Sequence, residues 1–519
     1  MASASTGLGL LIVLAGLAAP AESTVASPEQ LRQLVQRLGH PEYAVRQHAQ
    51  DQLARLGFQA FEALEEAADS PDLEVARRAQ MLLRELRQHY ERPEDPPAVK
   101  NLLAGYDRLP VRERLSRIRQ LARQPDATGL PALCRLVKYE RSALLSNWAA
   151  LEIIDAGPLD PAGRARQAEF LRQELRPSRR RAAQWLLAYL DLIEDPKGRL
   201  AAWAQCVEAE RAAYLRDPHE SSPAIVASLL YLLAEAYAKQ GQTSLAEQTA
   251  QQARELSPST DPLRLDAHLQ TARSLWRRGH FKWAEAEFRQ VADSGLPVAR
   301  MIGLSSLAEM FHDQGNHQAA ADALQGALDV FSQRNLRQEE MAGRRRYEML
   351  ARMHYFRACH AKEQGDRARE AQHLEEALRA DPSEVDALIA FYRLADATPE
   401  QRQRAARLVQ KAAARIKEEI GEDPNDANAY NQYAWLVGNT EGNLDEALKF
   451  SRMSLELSPN NAAYLDTLAH VHFARGELEE AVRIQTKAVQ LEPHSGLLLK
   501  ELQRFRTALE AKKKPGAKP

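Results

Sequence analysis

Two stretches near the C-terminal end of this chain repeat one another 34 residues apart: Tyr430 maps to Tyr464, Ala434 to Leu468, Gly442 to Gly476, Ala447 to Ala481, Leu457 to Leu491 and Pro459 to Pro493. A period of roughly 20–50 residues means stacked units, each too small to bury its own apolar face. The same constraint settles a question of size. At 519 residues the chain exceeds the ~250–300 at which a single core stops growing, whereas a stack grows by adding neighbours. Its apolar positions are largely Ala and Leu, with Arg, Glu and Gln filling most of the others. These are helix formers, and strand-making runs of Val, Ile and Thr are nearly absent. The expectation is an all-α chain of helical hairpins.

The spacing of residue types can be followed upstream to about residue 222. One unit carries Leu233, Ala234, Tyr237, Gly241, Ala246, Ala253 and Pro258; the next carries Ala272, Leu275, Gly279, Phe281, Ala284, Phe288 and Val291. A third has Leu307, Ala308, Phe311, Gly315, Ala320, Leu324 and Ala327. A fourth has Ala358, Gly365, Leu374, Ala377 and Pro382, with Glu370 where a small residue is expected. Residues 385–425 read as a degenerate pair, Ala387 to Leu394 and Gln401 to Ile420, without the turn glycine. The two units quoted first span 426–495, and in the earlier one Trp435 replaces the small contact residue, which implies a wider crossing or a shifted register. The pattern has a physical cause. Helices approach to ~8 Å only where their contact residues are small, and proline cannot extend a finished helix.

This combination of small seams, turn glycines and trailing prolines resembles the tetratricopeptide repeat (TPR) over residues 222–495, with four repeats in 222–384 and two in 426–495. The resemblance implies a right-handed superhelical solenoid of antiparallel helix pairs, whose concave groove is lined by the first helix of each unit. It further implies a non-catalytic scaffold that binds proteins or peptides, with no cofactor and no metal. The groove positions expected to hydrogen-bond and match charge with a partner segment are Tyr231, Glu235, Arg273, Glu309, Gln432, Asn439, Asp466 and His470. Some members hold a C-terminal carboxylate with Lys, Asn and Arg at set positions. Here those positions hold Tyr231 and Glu235, then Gln270, then Ile302 and Ser306, so that clamp is not expected.

Outside the array, residues 27–90 read as paired amphipathic helices, with Val45, Ala49 and Leu53 echoed thirty residues later by Val75, Ala79 and Leu83. The run from His40 to Gly57, with a proline turn and Val-Arg opening a helix, resembles a HEAT repeat, and Ser70 to Leu86 resembles a partial second copy. The prolines at 93, 96 and 97 make 91–98 a linker or sharp corner. Residues 99–218 are helical in period but irregular. At the other end, Leu497, Leu498, Leu499, Leu502, Phe505 and Leu509 within 496–511 form an amphipathic helix suited to capping the stack, and 512–519 form a basic tail.

A formal net charge of −2 supplies no global attraction to nucleic acid or acidic lipid. Two basic runs, Arg176 to Arg181 and Arg344 to Arg346, could grip phosphates, which gives an alternative reading as a binder of nucleic acid or an anionic surface. Neither is interleaved with the aromatics that stack bases. No phosphate-binding loop, dinucleotide fingerprint or nucleophile elbow occurs. The three cysteines, Cys134, Cys206 and Cys359, lack metal-ligand spacing. His470 and His472 are two apart on a helix and point about 200° away from each other. His354, Cys359 and His360 do not share a helix face either.

The apolar run from Leu8 to Ala19, followed by Ala19-Pro20-Ala21, reads as an export signal over 1–21, although no Lys or Arg precedes it. Its 12 residues fall short of the ~20 that a membrane span needs. Export to a periplasm, cell envelope or the exterior is therefore expected if the leader is a genuine signal, and cytoplasmic placement otherwise, with no transmembrane span in the mature chain. Mass spectrometry of the mature protein is expected to find an N-terminal peptide beginning near Glu22; an intact Met1 would contradict export.

Overall fold

The computed structural model describes residues 26–87, 90–157, 161–176, 178–256, 265–333 and 340–513. The leader, Pro177, Pro258 and the tail from Lys514 lie outside the described residues. Among the described residues every regular element is helical and none is long and apolar enough to cross a membrane.

Contacts divide the chain into two units, one reaching Tyr90 and including Gly105–Asp107, the other holding Glu91–Ala104 and everything from Arg108. The first contains α1 (Pro28–Arg37), α2 (Tyr43–Leu56), α3 (Phe61–Ala68) and α4 (Leu73–Arg87). Helix α1 begins where Ser27 and Gln30 form a reciprocal capping box. Leu38, Ala49, Leu53, Ala60, Phe61, Leu64 and Ala79 are buried where α1 packs on α2 and α3 on α4.

The second unit opens with α5 (Pro97–Leu103), α6 (Val111–Ala122), α7 (Leu130–Tyr139), α8 (Ala143–Asp155), α9 (Pro161–Leu175), α10 (Arg181–Glu194) and α11 (Leu200–Arg216). The proline-rich stretch is a pinned corner. Pro97 takes the first turn of α5, and Asp95 is buried against Arg135 at 2.5 Å.

Seven hairpins follow: α12 (Pro223–Lys239) with α13 (Thr243–Glu255), α14 (Leu265–Arg277) with α15 (Phe281–Ala292), α16 (Pro297–Asp313) with α17 (His317–Gln333), α18 (Glu340–Glu363) with α19 (Arg367–Ala380), α20 (Val385–Tyr392) with α21 (Pro399–Glu422), α22 (Ala427–Asn439) with α23 (Leu444–Leu457), and α24 (Ala462–Ala474) with α25 (Leu478–Leu491). Each pair packs on itself, and first helices pack on first helices from α12 to α14 to α16 and from α18 to α20, α22 and α24. The result is an all-α solenoid. Its seam is alanine: Ala234, Ala272, Ala284, Ala308, Ala320, Ala377, Ala434, Ala447, Ala469 and Ala481 are fully buried. The degenerate pair keeps its hairpin without the glycine turn because Thr398 and Gln401 cap α21 reciprocally. Helix α26 (Gly496–Lys513) lies on α25 with Leu498, Leu502 and Phe505 buried, and it runs two residues past its expected end, into the lysines of the tail.

The turn inside a repeat is a helix C-terminus closed by a left-handed glycine. At Gly315 (φ 77°) the N–H of Asn316 reaches back to the Phe311 carbonyl at 2.8 Å; at Gly476 (φ 77°) the N–H of Glu477 reaches that of His472 at 3.0 Å.

The register of the last two repeats differs from the 34-residue expectation. Their second helices do stand 34 apart, at Leu444 and Leu478, but the caps Asp426 and Asn461 place the first helices one residue further apart. The turn of residues 440–443 is one longer than that of 475–477, and it absorbs the difference. Ala434 is therefore the equivalent of Ala469, both fully buried, while Trp435 lies at the position of His470, partly buried beside the same core.

The array also curls back on itself. The Ser495 hydroxyl donates to Asp313 Oδ1 at 2.5 Å across 182 residues, and a Cβ on Gly496 would stand 2.5 Å from the Asp313 carbonyl. The loop after α25 thus seats on the end of α16.

Ala308→Arg and Ala481→Arg each drive a charge into a closed seam. Overpacking costs about 1–3 kcal/mol and the unpaired charge adds to it, so lowered melting temperature and lost helicity are expected by circular dichroism; unchanged melting of both variants would refute the seam.

Candidate functional site

The first helices contribute a polar seam along the inner face of the array. Glu309 on α16 accepts from Arg352 on α18 through both carboxylate oxygens, each at 3.1 Å. Arg352 also holds Glu384 at 3.0 Å and pairs with Asp386 at the start of α20. Asp386 accepts the Trp435 indole N–H at 2.8 Å, and that ring meets His470 edge-on at 4.7 Å between centroids. His470 Nδ1 stands 2.8 Å from Asn439 Oδ1, which accepts from Arg393 at 2.8 Å, and its Nε2 stands 3.2 Å from Glu501 on α26. Buried polar groups of this kind are stable only when their partners are in place.

This arrangement revises the expected groove. Tyr231 is fully buried and donates to Glu287, whose other oxygen faces His268 at 2.5 Å. Glu235 is buried against Arg278 at 2.8 Å and His280 at 3.4 Å. Asn439 and His470 are buried in the seam, and half-buried Asp466 accepts from Gln485 at 2.6 Å. Tyr231, Glu235, Asn439 and His470 are committed to partners on the adjacent hairpin, and Asp466 to Gln485 within its own. Glu309 belongs to the same seam, joined to Asn439 and His470 through Arg352, Asp386 and Trp435. Gln432 is half-buried, and Arg273 is exposed. The linking residues went unnoticed in the sequence because their partners come from the next repeat or the one after.

Arg273 opens into a cavity of about 370 Å³ where the curl closes. Arg273 and Arg277 are four apart and so share one face of α14; Arg123 joins them, with Gln270, Trp276, Asp313, Glu492, His494 and Ser495 completing the lining. Asp313 is occupied by Ser495 and by the Trp276 indole N–H at 3.1 Å. Burial raises its carboxyl, and burial and then the Asp313 charge raise Glu492. Arg123, Arg273 and Arg277 have no carboxylate within 4.0 Å among the described residues. The basic runs differ: Arg181 is held by Glu210 at 3.2 Å and Glu220 at 2.9 Å, and Arg344 by Glu348 at 3.0 Å.

Histidine and cysteine side chains that share no face in the sequence meet across helices. His312, His317 and Cys359 form one group, and His354, His373 and Glu376 another, each with one donor atom per residue inside a 4.8 Å sphere of mutual separation. Burial pushes the His312 imidazole down to about 3 and the Cys359 thiol up to about 11. His470 and His472 diverge as expected, the latter onto Glu477 at 2.5 Å. Cys134 is buried in α7.

Within the seam, burial and then the Asp386 charge push the Glu384 carboxyl up to about 7 against the pull of Arg352. Burial works against Asp386 too, but Arg352 and then the Trp435 N–H hold it below its usual range. A carboxyl raised by folding contributes stability below its ordinary range and loses it as pH rises through the raised value. Between pH 5 and pH 8 the melting temperature of Glu384→Gln should therefore move in the variant's favour relative to the parent, by about 2–4 °C. A pH-independent difference in thermal melts would contradict the assignment.

Residues 227–260, which begin in α12 and run past the end of α13, match the family model described as Tetratricopeptide repeat. No curated protein matches the chain. Among solved structures, it is similar to a thermophilic TPR protein from Thermus thermophilus at 19% identity, covering 40% of this chain and 99% of that one with a TM-score of 0.28. It is also similar to a tetratricopeptide repeat protein from Parabacteroides merdae, at 15% identity over 54% of this chain and 98% of that one with a TM-score of 0.28. A third is the pilF protein of Pseudomonas aeruginosa, at 16% identity over 54% and 97% with a TM-score of 0.22. Likenesses of this degree carry no inference about ligand or activity. The chain carries the tetratricopeptide repeat, in the hairpin that opens its array.

Proposed function

We propose that this chain is a non-catalytic scaffold that captures an acidic segment of a partner protein in the arginine-lined cavity where the array closes. The observation that carries the reading is the set of three guanidinium groups, on Arg123, Arg273 and Arg277, that converge on one cavity and outnumber its two carboxylates, Asp313 and Glu492; Arg277 acts on Glu492, and Arg123 and Arg277 act on Glu152. A guanidinium presents donors in a planar fork that fits a carboxylate. Trp276 supplies an apolar wall, and Gln270 and Ser495 supply neutral hydrogen-bonding groups. Hydrogen bonds to charged groups contribute about 1.5–3 kcal/mol each, so two or three reach toward the −8 kcal/mol of micromolar affinity.

The leader sequence supports placing this scaffold outside the cytoplasm, in an envelope or secreted complex. The polar seam takes a supporting part in this reading. It holds the curl, and the curl holds the cavity open to one side.

Arg273→Glu with Arg277→Glu reverses the charge of the cavity on exposed side chains, so folding should be retained. Crosslinking of the full chain in its native extract, followed by mass spectrometry, is expected to show the main neighbours at least tenfold depleted in the double variant. Undiminished capture of the same neighbours would overturn the cavity as the docking site. An affinity that collapses steeply between low and physiological salt, with nucleic acid recovered, would instead favour the anionic-surface reading.

A further inference from the structure

We propose that His312, His317 and Cys359 form a transition-metal site of the zinc class that pins the third hairpin of the array to the fourth. The geometry starts in the turn of that third hairpin. His312 lies in the last turn of α16, His317 opens α17, and the left-handed turn at Gly315 brings both imidazoles to one side. Their Nδ1 atoms face each other at 2.9 Å, and Cys359 brings a thiol from α18 into the same group. Both rings are buried, His312 against the face of Phe356 at 4.5 Å between centroids.

A second contact orients the ligand set. His317 Nε2 lies 3.2 Å from Glu363 Oε1 on the same α18 that carries Cys359. A carboxylate accepting the Nε2–H fixes the tautomer whose Nδ1 lone pair points inward, which is how carboxylates support metal-bound histidines. A bare hydrogen bond between the two imidazoles accounts for the 2.9 Å approach, and the Cys359 thiol, hydrogen-bonded to Tyr355, would exchange that partner for the ion. Metal bonds of about 2.0–2.1 Å to nitrogen and about 2.3 Å to sulfur set two nitrogens of a tetrahedral site ~3.3–3.4 Å apart, so the rings need open only slightly. Two imidazoles and a thiolate make a borderline-soft set suited to zinc, cobalt or copper and unsuited to magnesium or calcium. Binding releases the Cys359 thiol proton to solvent, and water takes the fourth position.

The neighbouring group differs in a way that makes it a control. Glu376 Oε2 lies 3.0 Å from His373 Nδ1 in a hydrogen bond and 3.0 Å from His354 Nδ1, so a carboxylate already faces both rings, and no thiol is in the set.

Metal-stripped full-length protein titrated with Co²⁺ tests the proposal. One equivalent should bind with a thiolate-to-cobalt charge-transfer band in the near ultraviolet, and zinc should displace it. Cys359→Ser should abolish the band and weaken binding at least 100-fold, Glu363→Gln should weaken it about 10–100-fold, and His373→Ala should leave the band unchanged. Absence of the band in the parent, or equal affinity in Cys359→Ser, overturns the site. Should Cys359→Ser fail to fold by circular dichroism, Glu363→Gln decides: its carboxylate is 42% exposed, and undiminished cobalt affinity there also overturns the site.

Discussion

Close approach of helices through alanine is the interaction on which the rest of this molecule depends. At ~8 Å between axes there is room for a methyl group and little more, and the array meets that demand with fully buried alanines at successive contacts, from Ala234 to Ala481. Each alanine adds little burial alone. Its value lies in letting Leu, Phe and Tyr on either side, such as Phe288, Phe356 and Tyr430, interlock across the seam. Repeats held this way transmit their crossing angle to the next, so a small rotation repeated from the third hairpin to the seventh becomes the curl that joins Ser495 to Asp313.

The curl has a chemical consequence. Successive first helices come near enough for Arg352, Asp386, Trp435 and His470 to link four repeats in one polar chain. Charges taken partly out of water are costly unless paired, and pairing them across repeats couples the repeats to one another. The inner surface is thereby divided. Along the seam Arg352, Asp386, Trp435 and Asn439 hold one another, and near the closure three guanidinium groups gather around one indole.

Much of this was legible in the residues. The hairpins, turn glycines, closing helix and alanine seam all follow from patterns of small, large and turn-forming side chains. Trp435 marks the boundary of that legibility. A fixed 34-residue comparison set it opposite Ala469, because a one-residue difference in the turns at 440–443 and 475–477 cannot be seen without knowing where each helix is capped. Groove residues were harder still. Tyr231 and Asn439 stand on first helices, and they are covered by side chains of adjacent hairpins, Glu287 and Trp283 over Tyr231, Arg393 and His470 over Asn439. No local pattern encodes that.

What the sequence determined by itself was the local grammar: which segments are helical, where chains turn, and which faces must be small enough to touch. These depend on propensities and on contacts between residues fewer than about forty apart. What only the tertiary structure decided was which polar side chains meet. Cys359 beside His312 and His317, Asp313 beneath Ser495, and Arg123 beside Arg273 are separated in the chain by tens to hundreds of residues. The first meeting joins adjacent hairpins, whereas that of Asp313 and Ser495 depends on rotations accumulated through the stack, a quantity that no single repeat contains.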